Sequence, residues 1–354
     1  MADLKIPIFR FIRHRITYYA LRGLCLMDCL VTGGAGFMGS HVARELSERN
    51  HEILILDDLS GGFKDNVPEN ILFVQGSIND QELISSLFEE NDFGAVFHLA
   101  AYAAEGLSPF LRRFNYKNNL IGSVNLINES VKNDVEVFVF TSSIAVYGDQ
   151  SLPYTESDPT DPIDPYGIAK DAVEKDLRNA HQQWGLDYII FRPHNVYGEH
   201  QNYGDPYRNV VGIFINQVLR NQPLTIFGDG EQTRSFTHID DVAPVMADSI
   251  FNSSARNEIF NIGSDEEYSV NELAEIVLET MYVDNDIRYL PERHEVKHAH
   301  ASHEKIKNYF DYNPTMNLPE GVNKMVEWVR QATERSGRDF DEFEIEEGLP
   351  PNWK

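Results

Sequence analysis

The stretch Cys29-Leu30-Val31-Thr32-Gly33-Gly34-Ala35-Gly36-Phe37-Met38-Gly39 decides how the rest of the chain is read. Cys29 to Thr32 is a short apolar run that predicts a strand, and Ser40 to Asn50 follows as a predicted helix. Between them Gly33, Gly36 and Gly39 give a G-x-x-G-x-x-G spacing. A strand that turns directly into a helix needs glycine for the tight turn, for close backbone approach to a pyrophosphate, and for helix–strand packing. The free N–H groups and dipole of the new helix then favour an anion. Gly33, Gly36, Phe37, Met38 and Gly39 are therefore candidate contacts to a dinucleotide.

Working outward, Glu52 to Leu56 reads as a second strand followed by Asp57 and Asp58. Asp57 stands 18 residues beyond Gly39 and 24 beyond Gly33. An acid here accepts the adenosine ribose hydroxyls and repels a 2′-phosphate, which selects NAD over NADP. Leu59-Ser60-Gly61-Gly62 makes a loop able to cover the adenosine, so Ser60 and Gly61 join the candidates. Ile71 to Val74 is a third strand ending in Gln75-Gly76-Ser77-Ile78, and Gln81 to Glu90 is helical. Ala95 to Ala101 is a fourth strand whose end, Leu99-Ala100-Ala101, is small enough for a cofactor to approach. Phe114 to Val131 is a long helix carrying Asn118, and Val135 to Phe140 is a fifth strand leading into Thr141-Ser142-Ser143. This alternation predicts an α/β fold with a parallel sheet wound on both faces.

The chain has 354 residues, 42% of them hydrophobic and 11% aromatic, enough for one large domain or two closely joined ones. The formal net charge is −26. So acidic a surface repels nucleic acid and anionic membranes, while a local basic pocket still admits a phosphorylated substrate. The charge fits either a salty habitat or plain solubility. Cys25 and Cys29 are the two cysteines, so no disulfide framework or cysteine-rich zinc site follows, and a reducing cytoplasm is expected. No run of 18 apolar residues predicts a membrane span.

Tyr166-Gly167-Ile168-Ala169-Lys170 puts a phenol and an ammonium on one helix face. A nearby lysine charge is expected to lower the phenol's pKa from its ordinary value near 10. Ser143, upstream, supplies a hydroxyl for the same site.

Taken in order, Thr32 to Gly39, Leu99-Ala100-Ala101, Ser142-Ser143 and Tyr166 with Lys170 resemble the extended sugar-nucleotide branch of the short-chain dehydrogenase/reductase superfamily. The resemblance covers residues 27 to about 330 and is strongest to the UDP-glucose 4-epimerase group. It implies a Rossmann-type doubly wound parallel sheet with a smaller C-terminal substrate-binding α/β domain. It implies NAD as cofactor, with Ser77, Ile78, Asn118, Ser142 and Pro193 among its contacts. It implies that Tyr166 is the base, that Ser143 bonds the substrate hydroxyl, and that Lys170 holds the nicotinamide ribose. Dehydratases of this family carry a Thr-Asp-Glu group beside the serine, and decarboxylating relatives carry a glutamate near the position of Ile144. Here the run is Thr141-Ser142-Ser143-Ile144-Ala145-Val146-Tyr147-Gly148, with neither acid. The implied reaction is reversible oxidation of a UDP-hexose at C4, with UDP-glucuronate epimerisation, another sugar-nucleotide epimerase or dehydrogenase, or a catalytically silent NAD-binding protein as the alternatives.

Phe191-Arg192-Pro193-His194-Asn195-Val196-Tyr197-Gly198 resembles the family's R-P-x-N-V-Y-G element. By that resemblance Asn195 meets the substrate phosphates, and His194 is read as a packing residue. Asn209 is expected to cap a helix that starts with Val210 and to offer N–H groups to a phosphate. Thr225 and Phe227, in Leu224 to Gly230, look like the uracil-flanking strand. Arg234 and Arg293 are diphosphate candidates, and Glu295 a ribose acceptor. His294, His298, His300 and His303 lack ligand spacing to a carboxylate or cysteine, so they are read as solvent-exposed side chains and no metal site is expected. Ser77 and the Tyr102 to Ser108 loop depart from the family pattern, the loop lacking its usual lysine. Arg112 and Arg113 could instead read a uronate carboxylate.

The expected organisation is an N-terminal extension (1–26), an NAD-binding domain (27–192, with 237–262 returning to it), a sugar-nucleotide domain (193–236 and 263–330) and an acidic tail (331–354). Residues 1–26 mix arginines with apolar residues. They suit a targeting or membrane-surface segment, or an upstream extension with Met27 as the functional start. In the tail Phe340, Phe343, Ile345, Leu349 and Trp353 alternate with acids, a pattern compatible with docking. The resemblance implies a homodimer through the helices that contain Asn118 and Tyr166.

Overall fold

The computed structural model describes residues 26–293, 295–338, 340, 342–350 and 353; the readings of residues 1–25 lie outside it. Six strands come early: β1 (Asp28–Thr32), β2 (Glu52–Asp57), β3 (Leu72–Gln75), β4 (Ala95–His98), β5 (Val137–Thr141) and β6 (Asp187–Pro193). Four short ones follow, β7 (Val196–Tyr197), β8 (Leu224–Phe227), β9 (Thr233–Ser235) and β10 (Thr237–His238), before β11 (Glu258–Ile262). The central sheet is parallel throughout, in the order β11-β6-β5-β4-β1-β2-β3. All five residues of β5 are buried, the mark of a strand covered on both faces. The strand order reverses between β1 and β4, which opens a crevice at their carboxyl ends. Thr32 Oγ1 and His98 Nδ1 meet there at 2.8 Å, and His98 Nε2 reaches Ser123 Oγ at 2.8 Å, tying both strands to a helix.

One face of the sheet packs on the Phe37–Glu48 and Ile239–Asp248 helices through Val42, Leu46, Val242 and Met246. The other packs on Gln81–Glu90, Gly122–Lys132 and Pro165–Trp184 through Ile84, Leu126, Val173 and Leu177. A third core lies beyond the sheet, among the Val210–Leu219, Val270–Met281 and Leu318–Val329 helices. Strand β8 there pairs in parallel with β13 (Ile287–Leu290), and β9 lies between β12 (Glu267–Ser269) and β14 (His298–Ala299).

The helix that carries Tyr166 is specified at both ends. Asp164 accepts N–H bonds from Tyr166 at 2.8 Å and Gly167 at 3.0 Å, and Pro165 opens the first turn. Gly185, at φ +80°, closes it by donating to the His181 carbonyl. Tyr166, Lys170 and Glu174 follow one another on its buried face. Glu174 and Arg192 of β6 form an ion pair with 0% and 1% of their side chains exposed, at 2.9 Å (Nε–Oε1) and 2.5 Å (Nη2–Oε2).

Several boundaries move from those expected. The first helix begins at Phe37, not Ser40, because Gly36 takes the cap and Gly39 must lie inside the first turn. The fourth strand stops at His98, where the chain leaves the ladder beside the crevice. The long helix starts at Arg112 and carries a π turn at Lys117–Ile121 before continuing as Gly122–Lys132; such turns cluster at functional sites. The tail docks, with Leu349 and Trp353 buried against Tyr102, Leu107 and Leu111, while Ile345 stays 43% exposed.

Replacing Arg192 by Leu should cost about 3–5 kcal/mol, because the buried Glu174 loses its two-point partner and keeps only the half-exposed Arg178 guanidinium, 3.7 Å away. The double change Arg192→Leu with Glu174→Leu should cost far less. Thermal unfolding of the three proteins checks this, and equal losses in single and double variants would refute it.

Candidate functional site

The carboxyl ends of β1, β4, β5 and β6 open onto one cavity of about 1360 Å³. Its floor is the glycine turn. Gly33 has φ +74°, and a Cβ there would lie 2.6 Å from the Ala100 nitrogen. A Cβ on Gly39 would lie 2.2 Å from the Gly33 carbonyl oxygen. Gly36 starts the helix without a side-chain cap, leaving its first-turn N–H groups for an anion. This cradle, bordered by Phe37 and Met38, fits the pyrophosphate of NAD.

Asp57 joins two loops around that cradle. Its Oδ2 accepts from Ala35 N at 3.0 Å and its Oδ1 from Leu59 N at 2.8 Å. Burial raises its pKa, partly offset by these N–H bonds. Each oxygen keeps a second lone pair for a ribose hydroxyl. Asp58 turns to Ser60 N, 2.9 Å away. Asp58, Ser60, Gly61, Ser77, Ile78, Leu99, Ala100, Ala101, Asn118 and Pro193 all border the same cavity. Asn118 lies in the π turn, donating to the Phe114 carbonyl and accepting from Asn79.

Ser143, Tyr166 and Lys170 meet on the opposite side of the crevice. The Ser143 hydroxyl stands close enough to Tyr166 to favour its phenolate form. Lys170 Nζ donates to the Thr141 carbonyl at 2.7 Å and stands 5.8 Å from the centre of the Tyr166 ring. The expectation that Lys170 lowers the Tyr166 pKa is corrected for the polypeptide alone. Burial drives Tyr166 well above the ordinary tyrosine value, Ser143 opposing and Glu105 and Asp164 adding to the rise. Burial also lowers Lys170 to about 7, with Glu174 opposing. Desolvation favours both neutral forms and outweighs the attraction that spacing alone suggests. Ser142 borders the cavity too, but its hydroxyl donates to Glu174 Oε1 at 2.5 Å.

The far wall brings together Asn195, Asn209, Val210, Thr225, Phe227, Arg234, Arg293 and Glu295. Asn209 caps the Val210–Leu219 helix through Val211 N and fastens it to the Val196 carbonyl at 2.6 Å. Arg234 donates to the carbonyls of Thr233, Val296 and Lys297, so much of its guanidinium holds backbone. Arg293 lies 4.1 Å over the Phe227 ring and pairs with Glu295 at 3.1 Å, while its buried Nε has no hydrogen-bond partner among the described residues. Arg112 borders the cavity; Arg113 is not among its lining residues.

His298 is exposed as expected and His300 is partly so, but one histidine differs. His303 is 1% exposed, not solvated. It stacks on His194 with ring planes 3° apart, and its Nδ1 meets Asp265 at 2.6 Å, a carboxylate that makes burial tolerable. His194 is buried with it and does not line the cavity, as a packing residue should. His294 lies outside the described residues. Among the described residues Glu199, His238 and Asp240 come within 4.8 Å of one another, and Lys324 already supplies the counter-charge to both carboxylates.

Among the lining groups that escaped the sequence reading, Arg208, Glu105 and Leu349 matter most. Arg208 pairs with Asp205 at 2.8 Å, stacks 4.7 Å over Tyr102, and comes within 3.2 Å of where a Gly61 Cβ would be. Glu105 enters from the loop after β4, and Leu349 from the tail. The one signal for Arg208 was its place beside Asn209. Glu105 had only the loop's departure from pattern, and Leu349 only the tail's alternation.

The sequence model of the NAD-dependent epimerase/dehydratase family matches residues 29–263. A UDP-glucose 4-epimerase of Halalkalibacterium halodurans is 32% identical over 265 residues, 71% of this chain and 79% of that protein. The crystal structure of the Thermotoga maritima UDP-glucose 4-epimerase with UDP-glucose is 36% identical, with a TM-score of 0.81 over 86% of this chain and 99% of that one. The UDP-glucuronic acid 4-epimerase of Bacillus cereus, solved with UDP-glucuronic acid and NAD, is 27% identical with a TM-score of 0.80, covering 86% of this chain and 99% of that one.

Lys170 gives the protein without cofactor a pH signature. Its folded pKa of about 7 lies below the ordinary 10.5, so between those values the unfolded chain holds the extra proton and stability rises with pH. The wild-type thermal midpoint should therefore gain on that of Lys170→Met between about pH 7 and 9. A gap that does not change with pH would exclude this burial effect.

Proposed function

The chain belongs to the NAD-dependent epimerase/dehydratase family, and from that premise we propose that it interconverts UDP-hexoses at C4, with UDP-glucose and UDP-galactose as the pair. It is an NAD-dependent sugar-nucleotide epimerase. When bound, NAD supplies the hydride acceptor and a positive ring charge beside the sugar. The polypeptide does the rest. Tyr166 takes the proton of the 4-hydroxyl, with Ser143 orienting that hydroxyl, and gives it back once the 4-keto sugar has turned in the pocket. Lys170 holds the nicotinamide ribose. Asn195, Asn209, Arg234 and Arg293 hold the diphosphate, Thr225 and Phe227 border the base, and Glu295 takes the uridine ribose. The Arg293 Nε, without a hydrogen-bond partner among the described residues, supports this part of the reading, since a buried donor calls for an acceptor.

One observation carries the choice of reaction. The turn after Ser143, Ile144–Val146, is wholly apolar. Eliminating water or carbon dioxide calls for a further acid or base beside the serine, and that turn has none. Glu105 supports a neutral sugar over a uronate. Its carboxyl feels Asp164 from the Tyr166 helix and Arg234, Glu295 and Arg293 from the far wall, and so borders the space between base and diphosphate. Burial, with Asp164 adding, raises its carboxyl to about 7; sugar hydroxyls can bond it in either form, whereas above that pH it repels a uronate carboxylate. Arg112, also lining the cavity, favours the uronate as the second reading.

We extend the proposal to a cytoplasmic homodimer. Ile121 and Ile168, 50% and 40% exposed, lie on the helices of Asn118 and Tyr166 and suit a shared apolar face. No helix among the described residues is long and apolar enough to cross a membrane.

The test is product identity from UDP-glucose, UDP-galactose, UDP-glucuronate and their N-acetyl forms, without added NAD. Interconversion of glucose and galactose forms is expected, and no epimer from any of them would overturn the reading. Tyr166→Phe should keep its NAD and lose roughly 10²–10⁴-fold in turnover; near-normal turnover would remove Tyr166 from the mechanism.

A further inference from the structure

The segment after the Leu318–Val329 helix takes no part in the proton transfer described above, yet it is fixed at several points. Arg335 donates to Asp65 and to Asn66, in the region following the Ser60-Gly61 loop. Glu344 accepts from the N–H groups of Arg113 and Phe114, at 2.8 and 3.1 Å, at the start of the Arg112–Tyr116 helix. The Glu344 nitrogen donates in turn to the Phe110 carbonyl at 2.9 Å. A segment this polar is thus pinned along its length by charge-assisted bonds, which are the stronger kind.

Its last part reaches the cavity. Gly348, Leu349 and Pro350 line it. Trp353 is 6% exposed and packs edge-on against Phe110 and Tyr207. The same ring lies 6.4 Å from Phe227 and 5.8 Å from the Arg293 guanidinium. A Cβ placed on Gly106 would come within 3.3 Å of Arg293 Nη1 and 3.6 Å of Trp353, so the three groups are in close packing.

We propose that this C-terminal segment is part of the nucleotide-sugar site, and that Trp353 is a positioning residue that holds Arg293 against Phe227. The proposal rests on the reading of Phe227 and Arg293 as base and diphosphate contacts. A free arginine gives up much rotamer freedom when it grips a phosphate, and a guanidinium already held by aromatic faces gives up less. Its Nη2 is also drawn to Glu295, so loosening the aromatic contact leaves the carboxylate as the stronger claim on it.

The experiment uses the full-length protein with its NAD, and UDP as the probe. In Trp353→Ala the Kd for UDP should rise about tenfold, and in Trp353→Phe it should return to within about twofold of wild type. KM for the sugar nucleotide should rise in step, while kcat and NAD content hold. Glu344→Gln, which loosens the anchor without touching the cavity, should weaken UDP in the same direction and covers the case in which Trp353→Ala does not fold. If wild type binds UDP and all three variants bind it equally, the proposal fails while the reading of Arg293 stands. If Trp353→Ala loses kcat and NAD together with affinity, the segment is general packing and the proposal fails. If wild type does not bind UDP, the reading of Phe227 and Arg293 falls and takes this proposal with it.

Discussion

The buried pair of Glu174 and Arg192 is the constraint on which the rest of the site depends. It joins the Tyr166 helix to β6, whose last residue, Pro193, borders the cavity. Glu174 also receives the Ser142 hydroxyl and lies one turn beyond Lys170, so both sides of the crevice refer to one carboxylate. Such a pair adds little net stability over an apolar replacement, but either half alone is costly to bury. Its service is registry. Helix and strand can meet in one alignment that satisfies both charges, and that alignment sets where the Tyr166 hydroxyl stands relative to Ser143.

What the sequence reveals follows from how local each signal is. The glycine turn is legible because strand, turn and helix are adjacent, and the clashes that exclude a side chain at Gly39 come from a residue six positions away. Tyr166 and Lys170 are legible because four residues make one helical turn. Arg208 was not, since, beside its local pair with Asp205, what brings it to the cavity is Tyr102 and the Gly61 loop, more than a hundred residues upstream. His303 reads as solvated until Asp265 and His194 are brought to it by the packing of separate elements. The tail showed its alternation but not its target, because Phe110, Tyr207 and Phe227 come from three different parts of the chain.

Asp57 and Lys170 show the same lesson in electrostatics. Residue type and spacing suggested a ribose acceptor and a pKa-lowering cation. In the fold, Asp57 is first a clasp between two loops, and Lys170 is first a buried amine bonded to a carbonyl. For Asp57 the two roles are compatible, whereas for Lys170 burial overrides the suggested one in the polypeptide alone. A carboxylate that already orders the glycine turn would present its oxygens to a ribose in a fixed position.

The arginines inside the cavity and the net charge of −26 outside it act over different ranges. A doubly charged ligand far from the surface feels mainly the exterior, which opposes its approach. Once inside, it meets Arg208, Arg234 and Arg293 at contact distance. Added salt shortens the Debye length from about 10 Å at 0.1 M to about 3 Å at 1 M, erasing the outer repulsion well before it reaches the buried contacts. Capture of such a ligand thus quickens with ionic strength, the reverse of ordinary electrostatic steering.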